Sequence, residues 1–208
     1  QMASDLGEQD GDLRWMSELS KNYGVPVSVN LFQNDGRPTQ YREILQKMRS
    51  ANQSGAQVFA QVSGRTAGLL LCLDGTMHPF MSKPAYREIR HLPKAERIRK
   101  MREPEIRRAI LKPDERRLSV QQKLYLEGWH KMFRLGDPPN YEPSQSECFE
   151  ERAKTEGVTP EELAYDTLLE FDGNGLIYFP LLNYANYNFE PSYEMMQSPD
   201  IHFGGSDG

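Results

Sequence analysis

Two apolar strands separated by one helix, over residues 25–63, constrain the fold more than any other feature of this sequence. Small and β-branched apolar residues alternate with other residues over 25–33 and again over 57–63, which is the two-residue period of a β-strand. Between them, an apolar stripe at helical spacing predicts a helix from Thr39, its expected N-cap, to about Ala51. Because a strand–helix–strand order with short links is a parallel crossover, the chain is predicted to be an α/β protein.

The two faces of these strands differ, and the difference predicts a ligand-facing edge. The aliphatic faces are expected to pack against helices, so Asn30 and Gln61 would share the opposite face near the carboxyl ends. Two interpretations are open: these amides contact a ligand, or they only satisfy each other within the sheet. Arg65 follows the second strand directly, in the loop 64–68. It could grip a carboxylate with its planar guanidinium, or it could be an ordinary solvated arginine.

A long segment of different character follows the second strand. The apolar run Leu69–Leu73 predicts a buried strand or a buried helix turn. From about residue 74 to residue 172, prolines separate short, highly charged stretches in which acidic and basic residues are interleaved at helical spacing. Links between strands and helices are normally a handful of residues long. We therefore predict a largely helical insertion over 74–172, between βα units in 1–73 and later strands in 173–208.

The end of this insertion and the following strand carry the clearest local signals. Thr159, with Pro160 and Glu162 behind it, forms a capping box and predicts the start of a helix. A strand is predicted over 176–181, and Asn183 and Tyr184 follow it in a polar, aromatic loop. Such a loop is suited to line a pocket, although asparagine and tyrosine are also common in ordinary loops.

Composition limits the classes of function. The chain of 208 residues has a formal net charge of -5 and no apolar run long enough to span a membrane. The two cysteines, Cys72 and Cys148, lie far apart and form no metal-type spacing, which favours a reducing cytoplasm. We therefore expect a soluble, cytoplasmic protein, with neither nucleic acid nor a membrane as its partner. The four histidines have none of the spacings typical of a metal pair. Asp207 comes after a predicted strand over 201–204, where a catalytic or metal-binding carboxylate is often found; a plain glycine-rich turn is the alternative.

Several separate motifs together resemble the amidohydrolase superfamily, in particular its N-acyl-D-amino-acid deacylases. They occur in the same order along nearly the whole chain: 61–65, 92–97, 157–166, 183–184 and 205–208. The resemblance implies a metal-dependent (β/α)8 TIM-like barrel, of which this chain would be a middle-to-late fragment with a helical insertion. It also implies hydrolysis of a linear amide, such as an N-acyl amino acid. A divalent metal, expected to be zinc, would polarise the amide carbonyl, and Asp207 would be a metal ligand or the base that activates water.

The sequence also departs from the family pattern. The His-x-His of the first barrel strand and the histidines of the central strands have no counterpart here. We therefore expect this chain alone to bind zinc poorly, to be inactive, and to associate with other segments of the same enzyme or as a homo-oligomer. The alternative is a non-catalytic partner-binding protein that keeps the barrel scaffold. By position, the residues predicted to contact the substrate are Asn30, Gln61, Arg65, Asn183 and Tyr184.

Overall fold

The computed structural model describes residues 9–113 and 119–204. Its elements follow one another as α1 (Gln9–Tyr23), β1 (Val27–Asn30), α2 (Gln40–Gln53), β2 (Val58–Val62), β3 (Ala67–Leu71), α3 (Pro84–Ile89), α4 (Lys94–Met101), α5 (Pro104–Leu111), α6 (Val120–Glu127), β4 (Phe133–Leu135), α7 (Phe149–Glu156), α8 (Pro160–Gly173), β5 (Leu176–Leu182), α9 (Glu190–Met196) and β6 (Ile201–Phe203). Short 3-10 turns cover Trp129–Lys131 and Gln145–Glu147. The chain divides into two compact units: the first takes in residues up to Ala67 and from Leu181 onward, and the second is Gly68–Pro180.

The first unit is built on a parallel three-stranded sheet in the order β1-β2-β6. Strand β1 pairs with β2 from Val27 opposite Val58 to Asn30 opposite Gln61. Strand β6 pairs with the other edge of β2, with Ile201 opposite Ala60. The predicted strand–helix–strand unit and its parallel direction are therefore confirmed.

Helices cover the aliphatic face of this sheet. Helix α1 packs against β1 and β2, α2 packs against β2, and α9 packs against β2 and β6. The side chains between the layers are almost wholly buried: Leu13, Met16, Val27, Val29, Leu31, Tyr41, Ile44, Met48, Val58, Ala60, Val62 and Met195. Each buried aliphatic side chain of this size contributes about 1.5–3 kcal/mol. The aliphatic strand faces thus pack on helices, as the alternation predicted.

Hydrogen bonds at two places connect α2 to α9 and to the residue before β6. The guanidinium of Arg42 donates two hydrogen bonds of 2.7 Å to the carboxylate of Glu194, and the hydroxyl of Tyr41 donates a third at 2.6 Å. Burial, together with the Glu194 carboxylate, raises the pKa of Tyr41 to about 12, so this hydroxyl remains a donor at neutral pH. The side-chain amide of Asn52 donates to Asp200 at 3.0 Å, immediately before β6.

The second unit has an aromatic core. Its largest buried side chains include Phe80, Phe133, Phe149, Tyr165 and Phe179. The rings of Phe80 and Tyr165 meet edge to face, with centroids 5.3 Å apart. The hydroxyl of Tyr165 donates at 2.7 Å to the carbonyl of Met101. Most of a second three-stranded sheet, in the order β3-β5-β4, also lies in this unit, and β4 and β5 are antiparallel.

The two predicted helix caps have different outcomes. The capping box of Thr159 is confirmed: the Glu162 backbone N–H donates to the Thr159 hydroxyl at 3.3 Å, and the Glu162 carboxylate accepts from the Thr159 backbone N–H at 2.9 Å. The predicted cap of Thr39 is wrong in its chemistry. Thr39 occupies the N-cap position of α2, but its backbone angles are helical (φ -107°, ψ -2°) and its side chain makes no capping hydrogen bond.

The predicted α/β class is confirmed. Within the described residues the strands form two separate sheets of three and no closed barrel, and the partial barrel stays a prediction. The sheets differ from the sequence prediction in two respects. The run Leu69–Leu73 is partly strand as predicted, yet it is not fully buried, because side chains of β3 alternate and Leu70 is 50 % exposed. The predicted insertion also contains strand β4, Phe133–Leu135, whose three residues alternate buried, exposed and buried but are too few to predict a strand. In the described part of the chain, no helix is both long and apolar enough to cross a membrane.

Candidate functional site

A row of three polar side chains lies across the parallel sheet of the first unit. Asn30 is the register partner of Gln61, and Gln61 is the register partner of His202. Register partners in a parallel sheet point to the same face, and neighbouring strands are about 4.8 Å apart. Asn30 and Gln61 are half-buried and His202 is exposed. The two amides that the sequence singled out are therefore brought together, on the face opposite the aliphatic core.

The carboxyl end of β6 joins this row. The ring of His202 packs against the ring of Phe59, with centroids 4.5 Å apart. The backbone N–H of Gly204 donates at 3.1 Å to the carbonyl of Val62. A Cβ at Gly204 would lie 3.3 Å from the side chain of Gln61, so glycine allows the chain to pass close beside this amide. Asp207, the predicted catalytic and metal-binding residue, lies outside the described residues.

Asn183 ties together two loops at this end of the first unit. Its Oδ1 accepts from the backbone N–H of Gln33 at 2.8 Å, and its own backbone N–H donates to the carbonyl of Gln33 at 2.9 Å. Its Nδ2 donates to the carbonyl of Arg65 at 3.3 Å. The backbone N–H of Ala185 adds a bond of 3.0 Å to Oε1 of Gln33. We call this set of contacts among Gln33, Arg65, Asn183 and Ala185 the carboxyl-end clamp.

The clamp changes the interpretation of two predicted substrate contacts. Asn183 is fully buried, with a left-handed φ of 62°, and both ends of its side-chain amide are hydrogen-bonded to backbone. Tyr184 is also fully buried, and its ring packs against Tyr187 and Phe189 at 6.2 and 5.7 Å. In this structure both residues hold the loop. That they contact substrate stays a prediction.

Arg65 and Gln33 illustrate what sequence reasoning found and missed. The side chain of Arg65 is exposed on the loop after β2, where it is accessible to a ligand. Gln33 was not singled out, although its side chain is 1 % exposed and its amide also donates to the carbonyl of Pro38 at 3.2 Å. Its only local signal is a polar residue directly after a buried strand, which is too common a pattern to identify a clamp.

Metal donors are sparse in the part of the chain that the structure describes. No group of three or more His, Cys, Asp or Glu residues there could hold a metal ion. His78 lies in the second unit, 3 % exposed, with its ring edge-on to Tyr86 at 4.6 Å. Burial, with a smaller contribution from the Arg97 charge, lowers the pKa of His78 to about 4, so this ring is neutral at physiological pH.

Comparison with known proteins adds no further constraint on the site: no family model, curated protein or solved structure matches this chain.

Proposed function

We propose that this chain forms the substrate-side part of a metal-dependent amidohydrolase, which hydrolyses a linear amide such as an N-acyl amino acid. The observation that carries the proposal is the row of Asn30, Gln61 and His202, in register at the carboxyl ends of three parallel strands. Open parallel α/β sheets and α/β barrels bind their ligands at this edge.

The side chains at this edge match the polar groups of an N-acyl amino acid. Asn30 and Gln61 each offer a donor and an acceptor, so they can pair with the N–H and the carbonyl of a substrate amide. The guanidinium of Arg65 offers two parallel donors, which is the geometry that a carboxylate accepts. The clamp supports this arrangement, because it holds the Arg65 backbone through Asn183.

The same sheet supports a partial (β/α)8 barrel as the scaffold. In the first unit, helices pack on the aliphatic face of the sheet, while the opposite face carries the polar row. Strands of parallel sheets are normally covered on both faces. The polar face would then line the interior of a larger barrel. Strand β6 also bears Phe203, which is 75 % exposed. This exposure supports association with other segments of the same enzyme or with a second copy.

The described residues do not fit a zinc site by themselves. Zinc is bound by histidine, cysteine and carboxylate side chains, and in the row only His202 belongs to these types. Further zinc ligands would come from Asp207 and from other parts of a longer enzyme, and the described residues would bind and orient the amide.

Kinetics of the full-length natural protein test the proposal. The zinc-loaded enzyme is expected to hydrolyse N-acetyl amino acids, and Gln61→Ala is expected to lower kcat/KM about tenfold through loss of a hydrogen bond to the substrate. Gln46→Ala, which removes an exposed amide from the outer side of α2, is the matched control and should have no effect. If the zinc-loaded protein hydrolyses no N-acyl amino acid, the proposal fails and the partner-binding alternative replaces it.

A further inference from the structure

A groove in the second unit combines positive charge with an apolar floor. It lies between α4 and the non-helical last turn of α8, and it has a volume of about 520 Å³. Its cations are Lys94, Arg99 and Arg102, against a single carboxylate, Asp172. Its floor includes Ile98, which is 5 % exposed. We call this feature the basic groove.

The cations of the basic groove are held by weak surface pairs. Arg99 reaches Glu103 at 3.1 Å, and Arg102 reaches Asp172 at 3.5 Å, with the two arginine side chains 64 % and 53 % exposed. Lys94 reaches Asp74 at 2.6 Å, but Asp74 is shared with another arginine. The two exposed arginine pairs contribute little to stability, so their guanidinium groups can turn to another anion at small cost. Glu103 is also shared, with Lys100 at 3.2 Å, so the cations in and beside the groove outnumber their carboxylates and leave a positive surplus for an anionic partner.

The chain beside the groove is strained and presents an aromatic ring to solvent. Phe171 and Asp172 adopt left-handed backbone angles, with φ of 49° and 54°. Gly173 follows with φ of 79°, and a Cβ at this glycine would clash with Ile98, so the segment is closely packed onto α4. The side chain of Phe171 is nevertheless 65 % exposed. Strained backbone angles cluster at binding sites. Since Phe171 adopts such angles without burying its ring, a binding role would account for them.

From these two features we infer that the basic groove, with Phe171 beside it, docks an extended acidic segment of a partner protein. Carboxylates of that segment would pair with the forked guanidinium groups of Arg99 and Arg102. An apolar side chain of the segment would pack against Phe171 and Ile98, since interface energy concentrates on aromatic anchors flanked by arginine. Charge complementarity selects the acidic occupant.

Fluorescence anisotropy with a short, fluorescein-labelled peptide that alternates glutamate with leucine tests this inference. The double variant Arg99→Glu/Arg102→Glu is expected to bind the peptide at least about tenfold more weakly. Arg87→Glu/Arg108→Glu is the matched control, because it makes the same change in net charge at exposed arginines of the same unit outside the groove. Equal loss in both double variants, or no binding by the wild-type protein, would overturn the inference.

A second variant separates docking from folding. Phe171→Gly removes the ring and suits the left-handed backbone, so its Tm is expected to equal or exceed that of the wild type. Its affinity for the glutamate–leucine peptide should nevertheless fall about threefold or more. Unchanged affinity in this variant, or equal binding of an all-glutamate peptide or a single-stranded oligonucleotide, would show a general polyanion surface and overturn the inference.

Discussion

The two units of this protein bury different kinds of side chain. The first unit places valine, alanine, leucine and methionine between a parallel sheet and its helices, and its buried polar groups are mostly amides and hydroxyls. The second unit buries aromatic rings, and with them His78, Lys131 and Arg97. Among the described residues, the first unit buries no histidine, lysine or arginine, whereas the second depends on close ring packing and on the protonation state of His78.

This difference makes separate measurement of the two units useful. The sequence has two tryptophans, Trp15 in the first unit and Trp129 in the second. In the background Trp15→Phe, the fluorescence of Trp129 reports the second unit alone, and in Trp129→Phe the fluorescence of Trp15 reports the first. Urea unfolding followed through the tryptophan of one unit therefore measures the stability of that unit.

The largest effect is expected from a ring in the aromatic core. Phe80 is 1 % exposed and meets Tyr165 edge to face, so Phe80→Ala leaves a cavity and should lower the free energy of unfolding of the second unit by about 3–5 kcal/mol. Phe203→Ala, at a side chain of the first unit that is 75 % exposed, is the control, and it should change the stability that Trp15 reports by less than about 0.5 kcal/mol. A loss at Phe80 no larger than the control would mean that ring packing does not hold this unit.

The second effect concerns pH and the buried histidine. The pKa of His78 is lowered from 6.5 to about 4, first by burial and then by Arg97. Between these values the unfolded chain binds the proton more readily, so stability is fully present above about pH 6.5 and is lost as the pH falls toward about 4. The loss amounts to about 3 kcal/mol.

His78→Leu should flatten this pH dependence in the Trp129 signal. The pKa of Asp74 is lowered from 3.8, chiefly by Lys94, so loss of that carboxylate's contribution falls below the His78 range and does not confuse the comparison. The same slope between pH 4 and pH 6.5 in the wild type and in His78→Leu would refute the assignment.

The third effect is a loss of stability of the first unit when the hydrogen bonds of the Asn183 side-chain amide are removed. Asn183→Ala removes the partners of the Gln33 N–H and the Arg65 carbonyl, and should destabilise the first unit by about 2–3 kcal/mol. Asn183→Gly loses the same hydrogen bonds but suits the φ of 62°, so it should cost about 1 kcal/mol less. If both variants unfold like the wild type, the carboxyl-end clamp contributes nothing to this unit.

The contrast between the units also explains what the sequence could predict. Strands β1 and β2 could be predicted because their burial alternates residue by residue. The shared face of Asn30 and Gln61 followed from that alternation. The direct pairing of β2 with β6 could not be predicted, because the two strands are far apart in the chain and no local sequence pattern indicates which strands pair. The contact between Gln33 and Asn183 in the carboxyl-end clamp could not be predicted for the same reason, since the two residues are 150 positions apart. In the second unit, aromatic residues at irregular spacing gave no period at all, so its core was visible only in the structure.

The smallest expected effect tests whether the residues around a helix start are enough to predict its N-cap. Thr39 and Thr159 both precede a helix, and the sequence predicted a cap at each. Only Thr159 makes the side-chain bond, so Thr159→Ala should cost about 1 kcal/mol and Thr39→Ala only a few tenths at most. The difference lies in the residue three positions on: Thr159 has Glu162 to complete the box, whereas Thr39 has Arg42, whose guanidinium is bound to Glu194. If the two variants lose the same stability, the Thr39 side chain does cap α2, and the structural difference between the two helix starts is contradicted.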